Sequence, residues 1–234
     1  MSSPRPRLSI IVPIGSSEVS WSALFPQLEQ LAVSHEIILA ASLEDARADD
    51  EFRKAIARPI VICRTLQGRG AQMNAAAKLS RGELLWFLHA DSELSKPLIE
   101  QINSGLIGIE QGLYYFNLKY QKDGPSLCAL NAWAANLRSN VFGLPFGDQG
   151  FLIERELFIQ LGGYSTSCKY GEDHLFVWKV HRSGKPVRSL GSALHSSARK
   201  YRDSGWASVT LNHSVLFITQ LVRECLPKGL EHEH

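Results

Sequence analysis

The sequence has few cysteines, no long apolar run and little net charge, and each shortage excludes a class of protein. Its four cysteines are widely spaced and form no CxxC pair, which argues against a disulfide framework or a zinc site and favours reduced thiols in the cytoplasm. No stretch reaches the roughly 18 apolar residues of a membrane span, and residues 1–8 lack the pattern of a signal peptide. A net charge of +2 argues against a dedicated nucleic-acid-binding protein.

The remaining composition is that of a globular protein with a sizeable core. With 234 residues, of which 44% are hydrophobic, the chain is expected to form a single domain over residues 1–229. The last five residues, 230–234, resemble a purification tag and are left out of the fold prediction.

The first half alternates short apolar or β-branched runs with stretches of helical spacing. Strands that alternate with helices of about 10 to 15 residues predict parallel βαβ units with right-handed crossovers. We therefore expect an α/β fold with a Rossmann-like, doubly wound sheet and helices on both faces. The expected elements are, in order, strand 8–12 ended by Pro13, helix 20–32, strand 35–40, helix 46–57, strand 60–63, helix 70–80 and strand 84–88.

The second half has a mixed pattern that is expected to extend the same sheet. Its aromatic residues Tyr114, Tyr115 and Trp133 are expected to lie in the core, and the alternative is that they form platforms for a sugar. The expected elements are strand 113–120, helix 126–142, a turn entering a strand over 147–153, a tight turn at 162–164, helix 170–182, strand 187–190 and helix 206–224.

A continuous apolar run over residues 84–88 leads directly into His89, Asp91 and Glu93. Such a run predicts a strand buried on both faces, and ligands of open α/β sheets bind at the carboxyl ends of the strands. Asp91 is therefore a candidate ligand for a divalent cation that bridges to a phosphate. The alternative is that Asp91 caps the following helix.

Seven motifs in a fixed order resemble the family-2 glycosyltransferases, which have the GT-A fold, and most closely a small bacterial subgroup of unassigned substrate. The resemblance extends from about residue 8 to residue 212. It implies a nucleotide-sugar half over about 8–95 and an acceptor half over about 96–224. The motifs are Ser9–Pro13, Gly68–Ala75, Phe87–Asp91, Phe146–Gly150, Gly162–Tyr164, Gly171–Asp173 and Ser197–Tyr201.

The resemblance implies a role for each matching residue. Asp91 would hold a divalent metal, Mn²⁺ or Mg²⁺, on the donor diphosphate, and His89 stands where the family has a first carboxylate. Asp173 would be the catalytic base with Glu172 beside it, and Asp148 and Gln149 would line the acceptor side. The residues implied in donor binding are Pro13, Arg69, Gln72, Asn74, His89, Asp91, Arg199 and Lys200.

The implied activity is inverting transfer of a sugar from a nucleotide-diphosphate sugar, UDP-type favoured, to an unknown acceptor hydroxyl. A base removes the acceptor proton, and a metal and arginines offset the charge of the leaving diphosphate. The sequence departs from the family where Ala41 replaces an Asp, for which Glu44 or Asp45 are candidate substitutes. That departure keeps a second hypothesis open, a non-catalytic nucleotide-sugar-binding relic, and a nucleotidyltransferase stands third.

The helix expected over 206–224 has an apolar stripe with three alternative uses. It packs on the sheet, which is the default, or forms a dimer seam, or lies on a membrane surface. The protein is accordingly expected in the cytoplasm, with peripheral membrane contact and homodimer formation left open. The stripe consists of Trp206, Val209, Val215, Leu216, Ile218 and Leu221.

Overall fold

The computed structural model describes residues 5–15, 18, 21–47, 49–54, 56, 59–106, 110–167 and 171–225. Within these ranges the chain forms one sheet with helices on both faces. The strands are β1 (Leu8–Ile14), β2 (His35–Ser42), β3 (Val61–Thr65), β4 (Leu84–Phe87), β5 (Glu93–Leu94), β6 (Leu113–Tyr120), β7 (Phe151–Glu154) and β8 (Val187–Ser196). The helices are α1 (Trp21–Leu28), α2 (Asp49–Lys54), α3 (Arg69–Leu79), α4 (Lys96–Asn103), α5 (Cys128–Phe142), α6 (Arg155–Gln160), α7 (Glu172–Arg182), α8 (Arg199–Ser204) and α9 (Trp206–Cys225).

The strand order is β3-β2-β1-β4-β7-β6-β8-β5, which confirms the predicted mixed, doubly wound α/β sheet. The four strands of the first half are parallel, as their alternation with helices predicted. Strand β7 then joins β4 in the antiparallel direction. Because β1 pairs with β2 on one side and with β4 on the other, the chain reverses its direction of winding there. A crevice forms outside the carboxyl ends of strands at such a point.

Strand β4 is buried on both faces, which confirms the interpretation of its apolar run. Leu84 and Trp86 contribute to the core on one side of the sheet. Leu85 and Phe87 contribute to the core on the other side. The strand therefore delivers the residues that follow it to the middle of the crevice.

Strand β1 continues through Pro13, contrary to the prediction that this proline ends it. Pairing of β1 with β4 stops at Ile11 and Phe87, whereas pairing with β2 continues with Pro13 beside Ala40. A proline without an N–H is tolerated where the strand has a neighbour on one side alone. Strand β8 also exceeds its predicted end at residue 190, because Gly191 accommodates an irregularity in its register with β6.

Two expectations about apolar residues are wrong. Trp133 lies on the surface with 62% of it exposed, although Tyr114 and Tyr115 are buried as predicted. Helix α9 does not pack on the sheet along its length, because Val215 and Ile218 are 61% and 56% exposed.

No helix in the described part of the chain is long and apolar enough to cross a membrane. Residues 20 and 170, at the expected starts of two helices, the side chain of Leu221 and the tail 230–234 lie outside what the structure describes.

Candidate functional site

An open cleft of about 970 Å³ lies outside the carboxyl end of β4. Strand β4, the start of α3, the start of α7 and helix α8 all border it. Several residues that the sequence predicted for the site face this cleft together. These are Arg69, His89, Asp91, Asp148, Glu172, Asp173 and Lys200.

Asp91 lies in the turn after β4 and faces the cleft. It does not cap the next helix, because Ser95 does so by accepting a hydrogen bond from the Leu98 amide. Burial raises the pKa of the Asp91 carboxyl and Glu18 adds to the rise, whereas Arg199 and Arg69 oppose it. A bound cation would reverse that rise, since an adjacent positive charge favours the ionised carboxylate.

His89 contacts Arg69 through its ring. Its Nε2 atom meets the Arg69 guanidinium. Burial, and secondarily the charge of Arg69, hold the pKa of His89 well below its usual value, so the ring is neutral at pH 7. A neutral Nε2 facing an arginine accepts a hydrogen bond, which places the ring proton on Nδ1. The contact brings the first turn of α3 to the end of β4.

Asp173 lies at the start of α7, and its carboxylate accepts hydrogen bonds from two backbone amides. Its Oδ2 accepts from the Gly147 amide at 2.7 Å and its Oδ1 from its neighbour His174 at 2.9 Å. Burial alone would raise the pKa of Asp173. The charges of His174 and Arg69 and the two amides outweigh burial, and the pKa is lowered. The carboxylate is therefore ionised at neutral pH.

Arg69 lies between His89, which follows β4, and Glu172 at the start of α7. Its Nε lies 3.7 Å from Oε1 of Glu172. A Cβ atom added to Gly147 would lie 2.8 Å from Nη2 of Arg69, 3.0 Å from Oδ2 of Asp173 and 3.4 Å from Nε2 of His89. Side chains from three separate segments, Arg69, His89 and Asp173, thus meet at Gly147, and the absence of a side chain there leaves room for them.

Asp148, which lines the cleft, and Arg138 are both half-buried. Oδ1 of Asp148 and Nη2 of Arg138 are both buried and have no hydrogen-bond partner among the described residues. Burial raises the pKa of Asp148 to about 6 and lowers that of Arg138 to about 10. Arg138 also stacks on the Phe146 ring at 3.2 Å. Arg138 is the one charged residue in the sequence of α5, and that isolation was the signal that could have identified it.

Two residues predicted to bind the donor, Gln72 and Asn74, form hydrogen bonds to the protein's own backbone. Gln72 is 5% exposed, and its Nε2 donates to the carbonyls of Ile14 and Ala40, which ties the ends of β1 and β2 together. Asn74 uses both amide atoms on the backbone of Tyr164. Neither lines the cleft as described.

Gln149, predicted on the acceptor side, is fully buried. Its Oε1 accepts from the Ser139 hydroxyl and the Phe146 amide, and its Nε2 donates to the Phe116 carbonyl. The side chain has no exposed surface with which to touch an acceptor. Its contribution is to fix the 3₁₀ turn Gly147–Gln149, which carries Gly147 and Asp148.

The remaining predicted donor residues take different positions. Lys200 lines the cleft, and Arg199 lies close by, 3.9 Å from Asp123 and 4.0 Å from Glu18. Pro13 stays within β1, where its side chain is partly buried.

Among the described residues, Asp45 does not take the place left by Ala41 at the end of β2. Ala41 is completely buried. The Asp45 side chain is 1% exposed and pairs with Arg47, whose Nε lies 2.9 Å from its Oδ1. Glu44 lies in the exposed turn after β2. The candidate substitution by Asp45 is therefore wrong.

Two tyrosines in the cleft were given no role from the sequence, although Tyr201 ends one of the seven motifs. Tyr120 and Tyr201 line the cleft, and their hydroxyl oxygens lie 3.1 Å apart. Their rings meet edge to face with centroids 5.4 Å apart. They come from β6 and α8, 81 residues apart in sequence, so that no local pattern could pair them.

A divalent cation fits this cleft if the donor supplies most of its ligands. Among the described residues no group of three His, Cys, Asp or Glu side chains could hold a metal. Asp91 offers one carboxylate, and His89 turns its Nε2 towards Arg69. Mg²⁺ is commonly bound by one or two carboxylates together with substrate phosphates. Asp91 is thus the residue that would hold the ion, which would polarise the diphosphate.

Comparison with known proteins finds glycosyltransferases that share the fold of this chain. The chain is 26% identical over 189 residues to an uncharacterized glycosyltransferase of Haemophilus influenzae, covering 74% of this chain and 61% of that protein. It superposes with a TM-score of 0.61 and 16% identity on S. aureus TarS 1-349 in complex with UDP-GlcNAc, over 82% of this chain and 58% of that one. The chain has the GT-A glycosyltransferase fold.

A second GT-A structure is similar to a comparable degree. The mannosyltransferase PcManGT from Pyrobaculum calidifontis, in complex with GDP-Man and Mn²⁺, matches with a TM-score of 0.57 and 17% identity over 83% of this chain and 57% of that one. No protein-family model matches the sequence. The chain spans about three-fifths of the length of these relatives.

Proposed function

We propose that this protein is an inverting family-2 glycosyltransferase that moves a sugar from a nucleotide-diphosphate sugar to an acceptor hydroxyl, assisted by a divalent cation. The observation that carries the proposal is the meeting of Arg69, His89 and Asp173 at Gly147, beside Asp91, in one cleft. Structural neighbours with the same fold are described with UDP-GlcNAc, UDP, and GDP-Man with Mn²⁺.

The β4 side of the cleft would bind the donor diphosphate. Asp91 would hold the cation, and Arg69 and Lys200 would add positive charge. Residues 67–71 line the cleft where α3 begins, and a helix N-terminus favours anions. An arginine guanidinium suits phosphate oxygens through its planar fork of donors. Arg69 would exchange its contact with His89 for one with the diphosphate.

Asp173 would act as the general base. It is ionised, and the amides of Gly147 and His174 fix its orientation. In the transfer the acceptor oxygen bonds to the sugar carbon and its proton passes to Asp173. The bond between that carbon and the diphosphate oxygen breaks, and its electron pair leaves with the nucleoside diphosphate. Glu172, beside Arg69, would orient that arginine.

A second candidate function is binding of a nucleotide sugar without transfer. It is favoured by the completely buried Ala41 and by the engagement of Asp45 with Arg47, which leave the end of β2 without the expected carboxylate. The two candidates differ in turnover, because an intact transferase also transfers sugar slowly to water.

Donor hydrolysis by the purified protein with manganese separates these candidates. A general base contributes about 10²- to 10⁴-fold, so Asp173→Asn should reduce hydrolysis by that factor and leave UDP affinity nearly unchanged. Glu172→Gln should reduce it less, and the exposed Asp50→Asn on α2 should have no effect. Full hydrolysis in Asp173→Asn with none in Glu172→Gln would exchange their roles. Donor binding without hydrolysis would support the second candidate.

A further inference from the structure

A short turn after β6 joins two parts of the cleft that are distant in sequence. We call residues 121–124 the β6 turn, and their sequence is Gln-Lys-Asp-Gly. Nε2 of Gln121 donates to the backbone carbonyl of Asp91 at 3.2 Å, and the backbone amide of Gln121 donates to the carbonyl of Ser196 at 2.9 Å. The β6 turn therefore connects the segment that carries Asp91 to the end of β8.

Asp123, within the β6 turn, contacts the chain where α8 begins. Its Oδ2 accepts from the Ser197 hydroxyl at 2.5 Å and its Oδ1 accepts from the Ala198 amide at 2.8 Å. A Cβ atom added to Gly124 would lie 2.5 Å from the carbonyl oxygen of Ala198, so the two segments pack backbone against backbone. Burial would raise the pKa of Asp123, but these hydrogen bonds and the charge of Arg199 outweigh burial and lower the pKa. The carboxylate is therefore ionised at neutral pH.

Ser197 connects Asp123 to Arg199. Because the Ser197 hydroxyl donates its proton to Asp123, its oxygen has lone pairs with which to accept other hydrogen bonds. It accepts from Nε of Arg199 at 3.0 Å and from the backbone amide of Arg199 at 3.2 Å. The same Nε lies 3.9 Å from Oδ2 of Asp123, and Nη2 of Arg199 lies 4.0 Å from Oε1 of Glu18. Asp123 thus orients the guanidinium through the Ser197 hydroxyl.

Arg199 is held in this way on the side of the cleft that faces Asp91. Ser197 and Lys200, on either side of Arg199 in sequence, line the cleft together with Asp91. The charge of Arg199 opposes the rise in the pKa of the Asp91 carboxyl, which places the two side chains within electrostatic reach. Ion pairs between partly exposed side chains contribute little, so the hydrogen bonds of Asp123 are the stronger constraint on this segment.

We propose that Asp123 is a positioning residue for the donor diphosphate, because it holds Arg199 opposite the cation that Asp91 would bind. The proposal rests on the proposed function, since it takes the ligand to be a nucleoside diphosphate. Arginine suits phosphate oxygens through its planar fork of donors. Fixing a long side chain in its bound conformation before the ligand arrives strengthens binding, because less conformational entropy is then lost.

A purely structural role for Asp123 is the alternative. In that case Asp123 would stabilise the β6 turn, and its loss would weaken the binding of every ligand of the cleft equally. A positioning role differs because it affects ligands that carry a diphosphate and spares a nucleoside. UDP and uridine are therefore the two probes that separate the alternatives.

Calorimetry with UDP in manganese measures the first quantity, and ligand-observed NMR with uridine measures the second. Asp123→Ala should weaken UDP binding about tenfold, as expected for lost hydrogen bonds to a charged group, and should leave uridine binding unchanged. Asp123→Asn keeps an oxygen for the Ala198 amide and so preserves the fold, and it should weaken UDP binding as well. The matched control is Asp203→Ala, since Asp203 pairs with Arg202 at 2.9 Å on the same helix and its side chain is 61% exposed. It should keep wild-type UDP affinity.

A double-mutant cycle tests whether Asp123 acts through Arg199. Arg199→Ala alone should weaken UDP binding in manganese. Adding Asp123→Ala to that variant should weaken it by no more than about a further twofold, because residues that act as a unit give non-additive losses.

Three outcomes would overturn the proposal. They are UDP affinity in Asp123→Ala within about twofold of wild type, equal losses of UDP and uridine binding in that variant, and additive losses in the cycle. Wild-type protein that binds neither UDP nor GDP would overturn the proposed function together with this proposal. Wild-type protein that binds UDP no more tightly than Asp123→Ala does would refute the positioning role alone.

Discussion

Replacing Gln149 with methionine should destabilise the protein strongly although the residue lies beside the cleft. Gln149 is completely buried and makes hydrogen bonds to Ser139, Phe146 and Phe116. Methionine has a similar shape but cannot form them. The Ser139 hydroxyl retains the Ala135 carbonyl as a partner, whereas the Phe146 amide and the Phe116 carbonyl lose theirs.

The expected loss follows from these two unpaired backbone groups. Each buried unsatisfied group costs about 1 to 3 kcal/mol, so Gln149→Met should lower the free energy of unfolding by about 3 kcal/mol. For a domain of this size 1 kcal/mol corresponds to about 2 to 4 °C in Tm, which gives a decrease of about 6 to 12 °C.

Thermal denaturation followed by circular dichroism measures this loss, with Gln160→Met as the control. Gln160 is exposed at the end of α6 and should change stability by less than about 0.5 kcal/mol. Below its Tm, Gln149→Met should keep a near-wild-type KM for the donor. A Tm within about 2 °C of wild type together with lost hydrolysis would refute the reasoning, because Gln149 would then act on a ligand and not on the fold.

Three further predictions concern the cleft itself. Gly147→Ala should reduce donor hydrolysis at least about tenfold but lower the free energy of unfolding by less than about 1 kcal/mol, because the new Cβ meets the side-chain ends of Arg69, Asp173 and His89 and not backbone. Urea unfolding that shows a larger loss of stability would contradict this. Asp91→Asn should weaken UDP binding in manganese but not in EDTA, as calorimetry can show, and unchanged affinity in manganese would remove Asp91 from the metal site. Since the pKa of Asp148 is raised to about 6, its neutral form stabilises the fold below about pH 4 and that stabilisation is lost as the pH rises through 6. In urea unfolding Asp148→Asn should therefore gain up to about 3 kcal/mol on wild type between pH 4 and 7, and parallel pH profiles would contradict the assignment.

The parallel half of the sheet was predictable from the sequence because its signals are local. Apolar runs such as residues 84–88 specify strands buried on both faces, and their alternation with helical spacing leaves few ways to connect them. The position of Asp91 followed from the same logic, since it comes directly after β4. Asp173 was predicted from the resemblance of Gly171–Asp173 to a motif of the family-2 glycosyltransferases, and not from a local pattern.

The sequence by itself determined which strands form the core and that Asp91 follows one of them into the cleft, because the burial of apolar strand residues follows a short-range pattern. Only the tertiary structure decided what the polar residues do, since their partners lie far away in sequence. Asn74 donates a hydrogen bond to the carbonyl of Tyr164, 90 residues away, and Gln149 donates one to the carbonyl of Phe116, 33 residues away. Both side chains therefore stabilise the fold. The exposure of Ile218 was likewise decided by tertiary packing. An apolar stripe in the sequence identifies one face of a helix, but it does not identify which part of the protein, if any, packs against that face.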